Sequence, residues 1–387
     1  MTVALALARS GFRATVLEQA ERLEETGAGI QLSPNAARTL IDLGLEARLK
    51  PLVVAPAGLR VLNARTGREI VRLPLGEEAA RRYGAPYWVI HRGDLQAALA
   101  AAVAQKLDIS VKLGLHADDF ALHRNGITVS ANARAGPADQ HGVALIAADG
   151  LWSTVRTRLG YADPPRFSGR TAWRALIRAK DVAPDFAAPF IQLWLGRDAH
   201  LVHYPVRGGN LINVVLIMQD SWETRGWSEP AARADLLPRL STRHWAPQAL
   251  GLLSASEAWL RWALYDRRPI LRAVSGPVAL LGDAAHPMLP YLAQGAAMAI
   301  EDAAVAAHWL ARMPDDPAAA LRRYWAERRA RVWKVQRLAA RNGRRYHLSG
   351  VSAMVRNTAM RTLGGTRLLH HYDWIYEWQP PSTAALI

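Results

Sequence analysis

Cysteine is absent from the 387 residues. Its absence excludes disulfide bonds, thiolate metal ligands and cysteine nucleophiles, and it agrees with the cytoplasmic location that we expect. No apolar run reaches the roughly 18 residues that a membrane span requires, so we expect no span. Lysine is scarce, because 43 of the 48 basic residues are arginines. The formal net charge is +15, but no signature of a nucleic-acid-binding domain accompanies it, so we expect no nucleic-acid partner.

The composition is that of a folded protein with a large core. Hydrophobic residues make up 50% of the chain and charged residues 21%, with 28 Gly and 22 Pro. These proportions exclude a disordered or collagen-like chain. The length predicts about two domains. No feature of the sequence indicates an oligomeric state.

The first residues predict a helix, a turn and a strand. Apolar residues at helical spacing precede Gly11, and a β-rich run then ends at Glu18. In a dinucleotide-binding βαβ unit, an acidic residue at the end of the second strand binds the ribose hydroxyls. The strand and the G-x-G-x-x-G turn that begin such a unit are missing, since residues 26–36 have only part of that spacing. We therefore expect that the natural start lies upstream, or else that the phosphate turn has been lost.

Later segments predict two further parts of an α/β protein. A run over residues 143–148 ends at Asp149 and Gly150, and a short strand over 278–281 leads into Gly282 and Asp283. Between them, residues 165–265 contain strand-like runs separated by Gly and Asp, which predicts an antiparallel sheet. A helix is expected after Gly295, and an Arg-rich helix over residues 317–345.

The most specific signal is GDAAHPMLPYLAQGAAMAIEDA, residues 282–303. A strand that ends in Gly-Asp places the Asp283 carboxylate at the edge of the sheet where ligands bind, within reach of a ribityl or ribose hydroxyl. Pro287 and Pro290 stiffen the loop. Gly295 to Ala297 offer backbone amides at a helix N-terminus, suited to negative charge on a ring carbonyl. The alternative is an ordinary strand-to-helix loop with a capping Asp.

This run resembles a motif of the FAD-dependent aromatic hydroxylases, the single-component flavoprotein monooxygenases, in their salicylate hydroxylase and 3-hydroxybenzoate 6-hydroxylase branch. The resemblance extends from Thr2 to about Arg331, and it includes the segments AADGLWSTVR, VIHRGDLQAAL, TGAGIQLSPNAARTLIDLGL and TAWRALI. It implies a Rossmann-like α/β FAD-binding domain (residues 1–164 and 271–345, partly interleaved with substrate-domain segments), an inserted, mostly antiparallel substrate domain (165–270), and a C-terminal tail (346–387).

The resemblance also implies an activity. FAD would be reduced by NADH or NADPH, which bind transiently, and dioxygen would hydroxylate a small aromatic substrate, phenolic or hydroxybenzoate-like, through a flavin hydroperoxide. Two alternatives remain. One is another flavin-dependent oxidoreductase on the same scaffold, although the W-x-W-x-I-P segment of the halogenases is absent. The other is a truncated, non-catalytic relative that acts as a binding protein.

Residue roles follow from the resemblance where the motifs match. Glu18 would bind the adenosine ribose, and Arg92 the FAD phosphate region. Asp149 and Gly150 match a motif associated with FAD and the nicotinamide cofactor. Asp283 would hold the ribityl chain, Pro287 would line the isoalloxazine ring, and Gly295 and Ala296 would donate amides to its pyrimidine edge. Alternatively, Glu18 and Arg92 are surface charges and Asp149 is a turn or helix cap.

The segment AHLVHYPVRGG carries the candidate catalytic residues. On a strand, His200 and Tyr204 share one face while His203 points to the other. Relatives in this branch place a His and a Tyr with this spacing over the flavin, and a His near neutral pH is a suitable base for a phenol. The alternative is that His200 is structural. Arg174 or Arg207 is a candidate partner for a substrate carboxylate. The histidines have no metal-ligand spacing such as H-E-x-x-H, and no G-x-S-x-G elbow occurs.

Overall fold

The computed structural model describes residues 1–23, 28–134, 136–224, 226 and 228–381. The helices are α1 (Thr2–Arg9), α2 (Pro34–Asp42), α3 (Glu46–Leu49), α4 (Gly76–Tyr83), α5 (Arg92–Ala104), α6 (Thr154–Arg158), α7 (Pro184–Ala187), α8 (Arg233–Leu236), α9 (Pro247–Ser254), α10 (Gly295–Arg312), α11 (Pro317–Tyr346), α12 (Gly350–His370) and α13 (Asp373–Tyr376). Short 3₁₀ helices cover Ala179–Asp181, Arg207–Gly209, Leu237–Arg243 and Gly282–Ala284.

The strands are β1 (Ala14–Glu18), β2 (Gly29–Leu32), β3 (Gly58–Asn63), β4 (Glu69–Pro74), β5 (Trp88–His91), β6 (Ile109–Leu113), β7 (His116–His123), β8 (Gly126–Ala133), β9 (Gly136–Pro137), β10 (Gln140–Gly142), β11 (Leu145–Ala147), β12 (Arg166–Arg178), β13 (Phe190–Gly196), β14 (Ala199–Val206), β15 (Leu211–Gln219), β16 (Glu229–Ala232), β17 (Ala258–Asp266), β18 (Val274–Ser275) and β19 (Val278–Leu280).

Two small parallel pairs form the α/β part of the molecule. β1 pairs with β6, and β11 pairs with β19, which also binds β18 in antiparallel orientation. The predicted helix, turn and strand at the start of the chain are confirmed as α1, a turn at Gly11 with a φ of 83°, and β1. The helix predicted after Gly295 is α10, which packs on α11 and α1. Its alanines allow this close approach because they add little bulk to the interface.

The largest sheet has eight strands in the order β16-β17-β12-β15-β14-β13-β3-β4. The antiparallel sheet predicted for residues 165–265 is confirmed, and its one parallel pair is β13 with β3. Strands β3 and β4 come from residues 58–74, far upstream of the others. Residues 1–164, the first range of the predicted FAD-binding domain, therefore contribute two strands to this sheet. The division of the chain into domains stays a prediction.

The two faces of this sheet bury different clusters. One face carries Trp173, Leu201 and Leu216, which pack in a core with residues of α7, α8 and α9. The opposite face, which we call the cleft face, carries Arg174 on β12, Asn213 on β15, and His200 and Tyr204 on β14, as the strand registers require. Strand residues alternate between faces, so polar side chains gather on the cleft face without interrupting the apolar core behind it.

The C-terminal helices cover one edge of the cleft face. The Arg-rich helix predicted over residues 317–345 is α11, which ends one residue later at Tyr346. Helix α12 packs on β4, and a β-carbon at Gly365 would overlap the carbonyl oxygen of Arg72. Only glycine permits that approach. No helix in the described part of the chain is long and apolar enough to cross a membrane.

Candidate functional site

The carboxyl ends of β11 and β19 meet at one edge, as expected for a parallel pair. Ala147 aligns with Leu280, and the amide of Leu281 donates a 2.9 Å hydrogen bond to the carbonyl of Ala147. Asp149 is the second residue after β11, and Asp283 is the third residue after β19. The fold therefore brings the two predicted carboxylates to the same edge of the sheet, where α/β proteins bind their ligands.

Asp283 lies beside the start of helix α10. A β-carbon built on Gly295 would lie 4.0 Å from Oδ1 of Asp283. Water can reach the Asp283 side chain, but protein surrounds it on most sides, and this partial desolvation raises its pKa while His286 and Arg92 oppose the shift. We call the region bordered by this carboxylate and the start of α10 the cleft. The sequence motif thus produces a local acidic group next to a helix N-terminus.

The groups around this cleft have unused hydrogen-bonding capacity. Within the described ranges, no group donates a hydrogen bond to the Asp283 carboxylate, and none accepts one from the amides of Gly295 and Ala296. Hydroxyl donors and a carbonyl acceptor are the complementary chemistry, which a ribityl chain and a flavin pyrimidine ring provide. The residues present therefore fit FAD.

The charge of Arg92 acts both on this cleft and on the cleft face of the large sheet. Arg92 is the first residue of α5; its charge opposes the rise in the pKa of Asp283 and adds to the desolvation that lowers the pKa of Arg174. Arg174 and Tyr204 in turn influence each other electrostatically. Asp283, Arg92, Arg174 and Tyr204 are therefore coupled electrostatically, each to the next. The loop between Asp283 and Gly295 also reaches the predicted catalytic strand, because the ring of Tyr291 lies 5.4 Å from the ring of His200.

Other predicted cofactor residues occupy different surroundings. Glu18 ends β1, which belongs to a different sheet from β19, the strand that precedes Asp283. Its Oε1 accepts a 2.9 Å hydrogen bond from the amide of Ala20. Asp149 accepts a 3.1 Å bond from the amide of Val155 at the start of α6, which is the capping geometry of the alternative interpretation. Gly150 has a φ of 75°, where glycine is favoured. Thr26 and Gly27 of the partial glycine motif lie outside the described residues.

Contacts with α10 and α11 hold the loop around Pro287 in place. Pro287 is buried, and its carbonyl accepts a 2.9 Å hydrogen bond from Nε2 of Gln336 on α11. The preceding His286 places Nε2 2.5 Å from Oδ2 of Asp302. Helices α10 and α11 thus hold the loop that carries Asp283 at one end and leads to Gly295 at the other.

A buried polar network joins two motifs that are distant in sequence. Nδ2 of Asn35 donates to Oε1 of Glu301 at 2.6 Å, and Nε2 of Gln294 donates to Oγ of Ser33 at 2.8 Å. Arg328 forms ion pairs with both Glu301 and Asp302, and both of these acidic residues are fully buried. Desolvation alone would raise the pKa of Asp302. His286 and Arg328 outweigh this effect and lower the pKa to about 2. The network fixes the N-terminus of α10 against α2.

Tyr204 is enclosed by residues that the sequence analysis did not identify. A β-carbon on Gly29 would lie 2.6 Å from Cε2 of Tyr204, and the amide of Gly29 donates a 2.7 Å bond to Oδ1 of Asn213. Gln31 lies close enough to Tyr204 to influence its pKa, and it accepts a 2.8 Å bond from the hydroxyl of Tyr87. Burial raises the pKa of Tyr204, so its hydroxyl stays protonated. Asn213 interrupts the apolar run NLINVVLIM, a signal that could have identified it, whereas no local feature distinguishes Gly29.

His200 lies on the cleft face and is 2% exposed. Its Nδ1 lies 2.8 Å from Nε2 of His347, and the rings of Tyr291 and Tyr346 each lie 5.4 Å from its ring. Desolvation, assisted by the charge of Arg170, lowers the pKa of His200 to about 3. The side chain is therefore neutral at physiological pH, so its Nε2 can accept a hydrogen bond, but it is a weaker base than the near-neutral histidine that the sequence predicted. His203 points to the opposite face, as predicted, where its Nε2 accepts a 3.1 Å bond from the indole of Trp194.

The two candidate arginines differ in their partners. Arg207 forms an ion pair with Asp94 at 3.1 Å. Arg174 stacks on Trp262 with 4.3 Å from Cζ to the ring centroid, its Nε is buried without a hydrogen-bond partner, and no carboxylate in the described part of the chain pairs with it. Desolvation and Arg92 lower the pKa of Arg174 to about 10, so it remains a cation. Of the two arginines, Arg174 is therefore the one that can pair with the carboxylate of a bound molecule.

The chain is similar to known proteins over nearly its whole length. Residues 1–339 match the family described as FAD binding domain. The chain is 36% identical over 385 residues to 3-hydroxybenzoate 6-hydroxylase 1 of Aquipseudomonas alcaligenes, with 97% of this chain and 94% of the relative covered. It is 35% identical over 381 residues to 3-amino-4-hydroxybenzoate 2-monooxygenase PtmB3 of Streptomyces platensis, with 98% and 93% covered.

Solved structures agree with these matches. HpxO of Klebsiella pneumoniae, complexed with FAD and uric acid, is 26% identical, covers 96% of this chain and has 92% of its own chain covered, with a TM-score of 0.82. A salicylate hydroxylase in a substrate complex is 25% identical, with 100% of this chain and 94% of the hydroxylase covered and a TM-score of 0.81. The overall fold is therefore shared with a protein solved with FAD and uric acid and with a salicylate hydroxylase solved with its substrate.

Proposed function

Because the chain belongs to the FAD binding domain family, and within it to the FAD-dependent aromatic hydroxylases, we propose that it hydroxylates a phenolic aromatic acid of the hydroxybenzoate class. NADH or NADPH is the transient reductant and dioxygen the co-substrate. Two relatives act, by name, on 3-hydroxybenzoate and 3-amino-4-hydroxybenzoate. We propose the cytoplasm as its location, because the chain contains no cysteine.

One observation supports this proposal above all others. The loop between Asp283 and Gly295 meets the face that carries Arg174, Tyr204 and His200, since the ring of its Tyr291 lies 5.4 Å from the ring of His200. A cofactor held by the first group would border a substrate held by the second. An oxygen-transfer reaction needs this proximity, because the reacting atoms must approach within about 3–3.5 Å.

The residues toward the cofactor have separate proposed roles. Asp283 would accept hydrogen bonds from ribityl hydroxyls, and the amides of Gly295 and Ala296 would bind the pyrimidine carbonyl. Arg92 would pair with a phosphate. The other members of the set are Glu18 toward the ribose, Pro287 against the ring, and Asp149 with Gly150 toward FAD or the nicotinamide cofactor. When bound, FAD supplies the transfer of electrons from the reductant to dioxygen.

The cleft face would activate the substrate. His200 Nδ1 is engaged with His347, so Nε2 is the nitrogen that would take the proton from the substrate hydroxyl. The resulting phenolate carries more electron density on its ring, which favours attack on an electrophilic oxygen. Tyr204, packed against Gly29, would orient the substrate, and Arg174 would pair with its carboxylate. The buried apolar surroundings would exclude water.

The proposal is tested with the purified chain incubated with FAD. We expect a bound yellow chromophore, and NADH or NADPH oxidation that 3-hydroxybenzoate or a related phenolic acid accelerates. The aromatic product should contain one atom from labelled dioxygen. A colourless protein that FAD cannot reconstitute would support the non-catalytic alternative, and accelerated NADH oxidation without oxygen in the product, for every acid tested, would indicate another flavin-dependent oxidoreductase.

His200→Ala tests the proposed base. The variant should still respond to the aromatic acid with faster NADH oxidation, because reductant and cofactor binding do not involve His200. It should lose hydroxylation by about 100-fold or more, as expected for removal of a general base. Normal hydroxylation by His200→Ala would place the base elsewhere.

A further inference from the structure

Trp262 on β17 lies beside Arg174 of β12 on the cleft face of the large sheet. In the antiparallel register, Ala172 pairs with Trp262 and Arg174 pairs with Leu260, so Arg174 and Trp262 are diagonal neighbours on one face. Cζ of Arg174 lies over the indole ring, 4.3 Å from its centroid. Both side chains are partly buried. Among the described residues, the fold therefore places an aromatic ring, and not a carboxylate, against the cation of the candidate site.

The guanidinium of Arg174 keeps its hydrogen-bond donors for a bound molecule. Its Nε is buried without a partner, and no group in the described ranges accepts a hydrogen bond from its Nη1 or Nη2. The N–H groups of arginine all lie in the plane of the guanidinium, so a ring that contacts the face of the group leaves its edge free. A carboxylate partner would occupy that edge, as Asp94 does for Arg207 at 3.1 Å.

Arg174 also keeps its full charge. Desolvation and the neighbouring cation Arg92 lower its pKa to about 10, while Tyr204 opposes the shift. Burial raises the pKa of Tyr204, so this hydroxyl is protonated at neutral pH and supplies no negative charge. The indole ring attracts the cation through its quadrupole and does not neutralise it. A cation that is stabilised in this way favours an anionic ligand over a neutral ligand of the same shape.

The indole of Trp262 is fixed by the same packing that joins the two halves of the candidate site. It packs against a buried cluster that contains Tyr291, from the loop between Asp283 and Gly295. The ring of Tyr291 lies 5.4 Å from the ring of His200. The ring beneath Arg174 is therefore held by residues that border both the proposed cofactor loop and the proposed catalytic strand.

We propose that Trp262 is a positioning residue that acts through Arg174 and gives the site its preference for an anionic aromatic acid. This inference rests on the proposed function. The indole holds the guanidinium in place before the substrate arrives, and the free edge and uncompensated charge of Arg174 then pair with the carboxylate. Without the ring the long arginine side chain moves freely, and the cost of ordering it falls on substrate binding.

The test compares binding of 3-hydroxybenzoate and 3-hydroxybenzamide, which differ in charge but little in shape, to the FAD-reconstituted protein without reductant. Isothermal titration calorimetry gives both dissociation constants for wild type, Trp262→Leu, Trp262→Met and Trp262→Phe. Leucine and methionine should weaken binding of the acid about 5- to 30-fold, as expected for one desolvated cation–π contact, and change binding of the amide less than about 2-fold. Trp262→Phe keeps an aromatic face and should retain most of the preference for the acid.

Two controls isolate the contact with Arg174. Trp222→Leu removes an indole whose centroid lies 3.7 Å from Cζ of Arg261, on the opposite face of the sheet beside Trp173, and it should leave both dissociation constants unchanged. In an Arg174→Met background, Trp262→Leu should cause no further loss of acid binding, because the indole then has no cation to hold. Circular dichroism and urea unfolding establish that each variant is folded, and leucine and methionine offer two shapes without an aromatic face.

The other outcomes separate the inference from its premises. An unchanged preference for the acid in Trp262→Leu and Trp262→Met would overturn it, and so would equal weakening of acid and amide, which indicates a purely structural residue. A loss in Trp262→Phe as large as in Trp262→Leu would overturn the cation–π contact as the cause. If wild type binds acid and amide equally while 3-hydroxybenzoate accelerates NADH oxidation, the inference fails and the hydroxylase function stands. If no phenolic acid accelerates NADH oxidation, the proposed function itself fails.

Discussion

Gly29 and Tyr204 are in contact across the candidate site, although one precedes the large sheet in sequence and the other lies within it. A β-carbon on Gly29 would lie 2.6 Å from Cε2 and 2.8 Å from the hydroxyl oxygen of Tyr204. The amide of Gly29 also donates to Asn213, which pairs with Tyr204 across neighbouring strands. The absence of a side chain at Gly29 therefore determines where the tyrosine ring lies.

The first prediction concerns this contact. Gly29→Ala should displace Tyr204 or Asn213 and reduce the free energy of unfolding by about 1–3 kcal/mol, as overpacking does. It should also weaken binding of the aromatic acid. Urea unfolding and ligand titration measure these effects. Gly251→Ala is the matched control, since its position in α9 has open space around it, and it should be neutral or slightly stabilising. Equal behaviour of the two variants would contradict the packing argument.

A second prediction separates the two candidate arginines. Arg174→Met should raise KM about 10- to 100-fold for a carboxylated phenol, as expected for loss of hydrogen bonds to a charged group. It should have little effect on KM for the matching carboxamide, which carries no charge. Arg207→Met should not discriminate between the two substrates, because Arg207 already pairs with Asp94. Steady-state kinetics with both substrates decide the matter, and equal losses on acid and amide would refute a carboxylate role for Arg174.

The third prediction concerns cofactor affinity. Asp283→Ala should weaken FAD binding by about 10-fold or more, because ribityl hydroxyls would lose a charged acceptor. Asp283→Asn should lie between wild type and alanine, since its amide oxygen still accepts one bond. Quenching of flavin fluorescence during titration gives the dissociation constants. Asp315→Asn, at an exposed position after α10, serves as the control. Unchanged affinity in Asp283→Ala would remove this residue from the cofactor site.

Low pH should destabilise the protein through its buried histidines. Burial lowers the pKa of His200 and His203 to about 3 and that of His347 to about 2, whereas histidine in an unfolded chain titrates near 6.5. Below pH 6.5 the unfolded chain binds more protons than the native one, so this stability is complete above pH 6.5 and is lost as pH falls toward 3. Each histidine should contribute a slope of up to about 1.4 kcal/mol per pH unit.

Urea unfolding at several pH values between 7 and 4, at constant FAD concentration, measures that slope. His203→Gln should reduce it, because a non-titrating side chain replaces one of the three buried imidazoles. His371→Gln, which changes an exposed histidine, should leave the slope unchanged. A slope unaffected by His203→Gln would show that His203 is protonated in the folded protein as readily as in the unfolded one.

The sequence alone determined the local elements and the cofactor class. Features that depend on neighbours within a few positions were predicted correctly. They are the runs that lead to Asp149 and Asp283, the helix after Gly295, and the alternation that separates His200 from His203. Backbone periodicity and turn chemistry act over that range, so such patterns are visible in one sequence. The resemblance carried by these motifs agrees with the family to which the chain belongs.

Only the tertiary structure decided which of these elements meet. The contacts of His200 with His347, of Gly29 with Tyr204 and of Asn35 with Glu301 join residues more than 140 positions apart. No local propensity encodes them, because they arise when sheets and helices pack and bury their surfaces together. Among the described residues, the same packing gives Arg207 a carboxylate partner and gives Arg174 none. The sequence, which is rich in arginine, does not reveal this difference.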